Sequence, residues 1–312
     1  MSLKVALVGL GHMGKIHFNK LLTIDGVEVS AIADTNTALA GETAHRMGFK
    51  LYERWQDTIP LCQAAIIATP TETHHTIGKA FLNAGKHVFM EKPIAVNTAQ
   101  AQELIDSAAA HNLVFQIGHL ERFNPAFSHG RRFVEKPILI ESTRTSPFTG
   151  RSTDVDVVLD LMIHDLDLLL SLVPDEIGEV HAQGLCFMTD KLDAVNVRIE
   201  FSGGCIANLM ASRISSRKER MLTIYEEGKS LSIDLLQGKC TSLVKNQTGS
   251  VDTSEYAASR LDPVEDELLE FIGSIRDKKT PSITGIDGLK ALALATRIKE
   301  HIAGKKRVPI IR

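Results

Sequence analysis

Over the first 120 residues, short apolar runs alternate with amphipathic stretches, the mark of repeated β–α units. Lys4 to Val8 predicts a buried strand, Met13 to Ile24 a helix ending at Asp25-Gly26, and Val27 to Ala33 the next strand. A helix from Thr37 to Met47 stops at Gly48, and the apolar run Ala64 to Ala68 closes at Thr69-Pro70. A helix from His74 to Asn83 is capped by Gly85, His87 to Met90 is a strand closed by Glu91-Lys92-Pro93, and Asn97 caps a helix to Ala110. Leu113 to Ile117 completes a parallel, doubly wound α/β sheet. After Gly118 the pattern changes. Asn124-Pro125 opens a helix, and a long helix is expected from Asp154 to Leu172. Strand-like runs then dominate: Val180 to Phe187, Ala194 to Phe201, Cys205 to Arg213, Met221 to Glu226, Ser230 to Leu235 and Cys240 to Val244. Helices opened by Asp262-Pro263 and Asp287-Gly288 close the chain. The expectation is an α/β domain over residues 1–120 and an α+β domain over 121–312 with an open, mainly antiparallel sheet and helices on one face.

Composition narrows the function classes. The 312 residues are 44% hydrophobic and 23% charged, with a formal net charge of -3, which suits a globular chain and gives no basic footprint for nucleic acid. No apolar run approaches the roughly 20 residues of a membrane span, and Met1-Ser2 leads straight into a strand rather than a signal peptide. None of Cys62, Cys186, Cys205 and Cys240 forms a C-x-x-C pair, so they read as idle thiols in a reducing, cytoplasmic setting.

Gly9-Leu10-Gly11-His12-Met13-Gly14 fits G-x-G-x-x-G between a predicted strand and a predicted helix. There the first glycine permits a tight turn, the second admits a pyrophosphate, and the third packs the helix on the sheet. Asp34 follows Gly14 by 20 residues at the end of the second strand. A carboxylate at that place accepts from ribose hydroxyls and repels a 2'-phosphate, which selects NAD over NADP. His12 lies inside the motif, whereas His17 reads as a packed helix residue.

Ligands of open α/β sheets lie beyond the carboxyl ends of the strands, so Thr69-Pro70 and Glu91-Lys92-Pro93 fall on the cofactor side. There the Lys92 ammonium can bond a hydroxyl under oxidation; the alternative is a surface lysine before a turn proline. Asp160 and His164 stand four apart in an apolar stretch, hence on one helix face. They suit a carboxylate-oriented general base, and equally a structural hydrogen bond or part of a metal site with His119 or Asp165. Without a companion His- or Cys-rich motif the reading is that no metal is bound.

These segments, together with His74 and Ala84-Gly85-Lys86-His87-Val88, resemble the glucose-fructose oxidoreductase / inositol dehydrogenase / MocA (Gfo/Idh/MocA) family along nearly the whole chain. The resemblance implies a Rossmann domain followed by a substrate and oligomerisation domain, and hydride transfer between a sugar or cyclitol carbon and NAD. It implies Lys92 and His164 as acid/base residues with Asp160 as partner carboxylate, and Gly9, Gly11, His12, Met13, Gly14, Asp34, Thr69, Pro70, His74, Glu91 and Lys92 around the cofactor. It further implies a homodimer or homotetramer. Where many members carry glycines before the aspartate, this chain has Asp154-Val155-Asp156-Val157-Val158-Leu159, so contacts from that segment do not carry over.

Gly118-His119-Leu120-Glu121-Arg122-Phe123-Asn124-Pro125, with Asp156 to Asp167, is similar to the branch that oxidises the 3-hydroxyl of UDP-N-acetylglucosamine ahead of an aminotransferase in lipid A or surface-glycan synthesis. On that resemblance Arg122, Asn124, Arg151 and His164 contact substrate, with Arg144 a further candidate for a diphosphate; for each arginine the alternative is an ion pair. The competing readings are a dehydrogenase of a free sugar or inositol, and a non-catalytic NAD sensor.

Overall fold

A computed structural model describes residues 2–46, 48–150 and 155–304, which fall into two compact units. The first unit carries six parallel strands: β1 (Leu3–Val8), β2 (Val27–Ala33), β3 (Leu51–Tyr52), β4 (Ala64–Ile67), β5 (His87–Glu91) and β6 (Phe115–Gly118). Their order, β3-β2-β1-β4-β5-β6, is that of a doubly wound nucleotide-binding sheet, with the reversal beside β1. Helices α1 (His12–Leu21), α2 (Thr37–Arg46), α3 (Thr71–Asn83) and α4 (Thr98–Ala110) make the crossovers. Asn97 caps α4, accepting from the Gln100 amide at 2.9 Å. The expected elements therefore form, and the pattern passes over only the two-residue edge strand β3 and a 3-10 turn at Trp55–Leu61.

The first unit does not end at Leu120. It also takes residues 262–292, which the expected division had placed in the second half. The cause is the apolar face of α7 (Pro263–Asp277), whose Leu268, Phe271 and Ile272 complete a core containing Phe18, Ile32 and Phe89. Asp262 caps this helix as its Asp-Pro start predicts. Helix α8 (Gly285–Gly304) begins earlier than Asp287-Gly288 suggests. Thr284 donates its amide and hydroxyl to the Asp287 carboxylate at 2.8 and 2.7 Å, so the acidic residue three places on ties down the start of the helix.

The second unit comprises residues 121–261 and the chain from Ala293. It opens with α5 (Pro125–Arg131) and holds an eight-stranded sheet built from β7 (Leu139–Thr145), β8 (Ile177–Leu185), β9 (Ala194–Phe201), β10 (Ile206–Ser212), β11 (Glu219–Glu226), β12 (Lys229–Asp234), β13 (Lys239–Lys245) and β14 (Val251–Ala257). All neighbours are antiparallel except β7 and β10. The inward residues, among them Val197, Ile199, Leu209, Leu222 and Ile233, pack against α5 and against α6 (Ile163–Leu172). The long helix expected from Asp154 is shorter and wound differently: Val158–Met162 form a π-turn that runs into α6. Asp154 lies outside the described residues. Among the described residues no helix is long and apolar enough to cross a membrane. The cysteines are free thiols, three buried and Cys186 exposed.

Candidate functional site

The glycine loop joins β1 to α1. Gly9 sits at φ +93°, and a side chain there would be driven into the Ala68 carbonyl at the end of β4; one on Gly14 would strike the Gly9 carbonyl. At Gly11 the same construction meets nothing within 4 Å, so this position faces open space. Gly11 is also the N-cap of α1, whose first turn holds no acidic side chain, leaving its amide dipoles available to an anion. A cleft of about 450 Å³ lies here, lined by Gly9, Gly11, Asp34, Trp55, Thr69 and Pro70 among others. These residues fit a dinucleotide: room at Gly11, amides at the helix end, and a carboxylate across the cleft.

The Asp34 carboxylate accepts the Leu10 amide at 2.6 Å and the Asn36 amide at 2.7 Å, so it pins the glycine loop. Two carboxylate oxygens offer about four acceptor sites, which leaves capacity for hydroxyls. An Asp34→Ser variant is expected to lose roughly tenfold or more in kcat/KM with NAD, from one or two charge-assisted hydrogen bonds, and to gain relative activity with NADP. Steady-state kinetics with both cofactors check this; an unchanged NAD/NADP ratio rules out ribose reading by Asp34.

At the ends of β4 and β5 the structure redistributes several roles. Thr69 and Pro70 line the cleft, and His12 is exposed at the start of α1. Lys92 is half-buried, one residue past β5, and its bond to Pro93 is cis. His74, expected beside the cofactor, instead turns both ring nitrogens onto backbone carbonyls, Nδ1 to Pro93 and Nε2 to Thr69, each at 2.8 Å. Burial pushes its pKa down, and the two carbonyls oppose that. Glu91, also expected at the cofactor, buries its carboxylate against His17 Nε2 at 2.6 Å and accepts the Lys92 amide at 3.3 Å. Both face inward because they serve the turn that carries Lys92.

The second unit holds the remaining candidates. Asp160 lies in the π-turn and His164 in the first turn of α6, both half-buried. The i, i+4 argument for a shared face assumes α-helical winding, which this segment lacks; single π-turns inside α-helices recur at functional sites. Asp156 anchors the turn, accepting the amides of Val158 and Leu159 at 3.1 Å each.

Arg122, Asn124 and the further candidate Arg144 each have partners within the second unit. Arg122 directs Nε and Nη2 at Asp167, at 2.8 and 2.6 Å, so its fork grips a buried carboxylate. Arg144, 2% exposed, binds Asp165 through Nε and Nη2 at 2.8 and 2.9 Å and Glu121 through Nη1 at 2.7 Å. Asn124 is a buried cap, accepting the Ala126 amide at 3.1 Å and donating to the Leu235 carbonyl at 2.9 Å. Arg151 lies outside the described residues. Burial alone would raise the Glu121 carboxyl, but Arg144 and Arg220 hold it below the usual carboxylate range. Its stabilising effect is thus full at neutral pH and fades as pH falls through the acid range. Asp165 is paired with Arg144. His119 is buried just past β6, its amide donating to the Ile117 carbonyl at 2.8 Å.

A doubly wound sheet, a glycine loop opening on a helix N-terminus and a carboxylate at the end of the second strand define a dinucleotide-binding protein of the Rossmann class. The comparisons agree: a family profile described as "Oxidoreductase family, NAD-binding Rossmann fold" matches residues 3–119, and a "GFO/IDH/MocA C-terminal domain" profile matches 99–232. The chain belongs to the Gfo/Idh/MocA oxidoreductase family, and it is an NAD-dependent dehydrogenase acting on CH–OH groups. It is similar to a UDP-N-acetylglucosamine 3-dehydrogenase of Acidithiobacillus ferrooxidans, 31% identical over 96% of this chain and 97% of that one. A solved structure of that enzyme covers 97% of this chain and 98% of its own with a TM-score of 0.91. The chain is also 25% identical to a myo-inositol 2-dehydrogenase of Thermotoga maritima over 99% of this chain and 98% of that one. A levoglucosan dehydrogenase in complex with NADH and levoglucosan shares the fold, with a TM-score of 0.87 at 20% identity, covering 97% of this chain and 98% of its own.

Proposed function

We propose that the chain oxidises the 3-hydroxyl of UDP-N-acetylglucosamine or a close nucleotide sugar. The observation that carries this reading is the end-to-end match, above 30% identity, to an enzyme named for that reaction. NAD, when bound, supplies the hydride acceptor. The half-buried Lys92, just beyond the carboxyl end of β5, is the residue we assign to bond the reacting hydroxyl and take its proton; His164, with Asp160, is the second candidate for that transfer. A 3-keto nucleotide sugar is a substrate suited to an aminotransferase, and a soluble homodimer or homotetramer joined through the open face of the second sheet is the assembly we propose.

A second reading is favoured by the equally complete match to an inositol dehydrogenase. The ion pairs of Arg122 and Arg144 also remove two cations from any diphosphate site, and so lend the nucleotide no support. One panel separates the two: NADH formation with UDP-N-acetylglucosamine, N-acetylglucosamine, glucose and myo-inositol, with a carbonyl reagent drawing off ketone. The nucleotide sugar is expected to exceed the others by at least roughly a hundredfold in kcat/KM, about 2.7 kcal/mol of discrimination. Turnover of inositol or free sugar at equal or higher efficiency favours the second reading, and no turnover of any of them favours a sensor.

A further inference from the structure

The turn bearing Lys92 is braced from two sides by buried histidines that the reaction itself does not require. On one side His17, in the second turn of α1, meets the Glu91 carboxylate at 2.6 Å, and the other oxygen of that carboxylate accepts the Lys92 amide at 3.3 Å. On the other side His74, in the first turn of α3, sets Nδ1 2.8 Å from the Pro93 carbonyl and Nε2 2.8 Å from the Thr69 carbonyl, and its neutral ring, with a single N–H, donates to one of them at a time. Helix α1 follows the glycine loop and α3 follows Thr69-Pro70, so each histidine grows from a helix that starts at a loop of the cofactor cleft. His17 and His74 are both essentially inaccessible, and His17 also sets its ring edge-on to Phe89 of β5 at 5.3 Å.

Glu267 closes the group from α7. It is fully buried, neither carboxyl oxygen has a hydrogen-bond partner among the described residues, and it offers an oxygen within 4.8 Å of His17 and Glu91. Burial and the neighbouring Glu91 charge push its carboxyl well above the usual range. Burial would also raise Glu91, but His17 and then Lys92 hold it down and ionised. The trio has metal-like composition, yet the 2.6 Å contact between His17 and Glu91 is a hydrogen-bond length that leaves no room for an ion between them.

We propose that His17 and His74 are positioning residues: through Glu91 and through the Pro93 and Thr69 carbonyls they tie the Lys92 turn to the two loops of the cofactor cleft, so that the ammonium is held at a fixed place relative to the bound nicotinamide. The inference rests on the dehydrogenase reading for its effect on rate, but the tie itself is a property of the fold. Misplacing a reacting group by about an ångström costs on the order of a hundredfold in rate, which sets the expected scale.

The test compares His17→Leu, which cannot bond Glu91, with His17→Gln, which keeps a donor, and adds His74→Leu. Hydrogen exchange at the Lys92 amide reports the tie without any sugar, and kcat per NADH-binding site, titrated by NADH fluorescence, reports its consequence. The Leu variants are expected to exchange at least roughly tenfold faster at this amide and to lose about 10- to 100-fold in kcat, with the KM for NAD within about threefold. His17→Gln is expected to recover most of both. A role in packing alone would lower the melting temperature while leaving kcat per binding site intact. Unchanged exchange in His17→Leu and His74→Leu, or kcat per binding site within twofold of the parent, overturns the proposal. A parent that oxidises none of the sugars counts against the substrate reading alone, and faster exchange at the Lys92 amide in its Leu variants still upholds the tie.

Discussion

Replacing Lys92 by alanine is expected to lower kcat for sugar oxidation by roughly 10²- to 10⁴-fold, the usual contribution of a positioned acid or base. The affinity for NAD should move little. The groups that fit the cofactor are the Gly9 to Gly14 loop, the N-terminus of α1 and Asp34, and none depends on the Lys92 side chain. NADH fluorescence titration and NADH formation on one preparation give both quantities. Loss of turnover with intact binding identifies Lys92 as the proton-handling group. Activity within a few-fold of the parent moves that role to His164, and the matched His164→Ala variant then shows the larger loss.

The largest effect on stability is expected from Arg144→Met. The substitution removes the guanidinium that binds Asp165 twice and Glu121 once, in a place with almost no solvent. Glu121 keeps Arg220 at 3.0 Å, while Asp165 loses the partner described for it. An uncompensated buried carboxylate costs about 3–5 kcal/mol, a large share of the 5–15 kcal/mol that holds a domain folded. A fall in melting temperature of roughly 10 °C is expected. Arg144→Lys should not restore it, because an ammonium cannot reproduce the two-pronged contact. Adding Asp165→Asn to Arg144→Met should recover part of the loss. A melting temperature unchanged by Arg144→Met would show that the buried network contributes little.

That arginine also shows where the sequence stops being legible. The β–α alternation of the first unit reads directly, since strands such as Val27–Ala33 and Ala64–Ile67 are buried apolar runs. Strand β7 does not, because its inward positions are Ile140, Ser142 and Arg144. A buried arginine makes sense only once Glu121 and Asp165 are folded around it, and no local pattern announces that. Strand β14 is missed for the opposite reason: almost every residue of it is exposed, so it carries no alternation. The π-turn at Val158–Met162 leaves the apolar content of its segment unchanged and alters only the winding.

The candidate site divides along the same line. The glycine loop and Asp34 stand out in the sequence because a tight turn, an open approach and a carboxylate each select a residue type at a set spacing. His74 and Glu91 were readable as members of the region but not in their jobs, because their partners are a backbone carbonyl and a histidine 74 residues away. His17 reads as a packed helix residue, which its burial bears out, but nothing in the sequence of α1 announces its contact with Glu91. Planar cations and amides suit a ligand, so Arg122 and Asn124 read as substrate contacts, and no local pattern shows that Asp167 binds the one and the start of α5 the other.

The most direct test of the central claim is to supply UDP-N-acetylglucosamine deuterated at C3 together with NAD and a carbonyl trap, and to examine the reduced cofactor by mass spectrometry. One deuterium on the nicotinamide ring and a slower rate than with the unlabelled sugar are expected. NADH formed without deuterium would place the oxidation at another carbon, and no NADH at all, trap included, would contradict the assignment of this nucleotide sugar as the substrate.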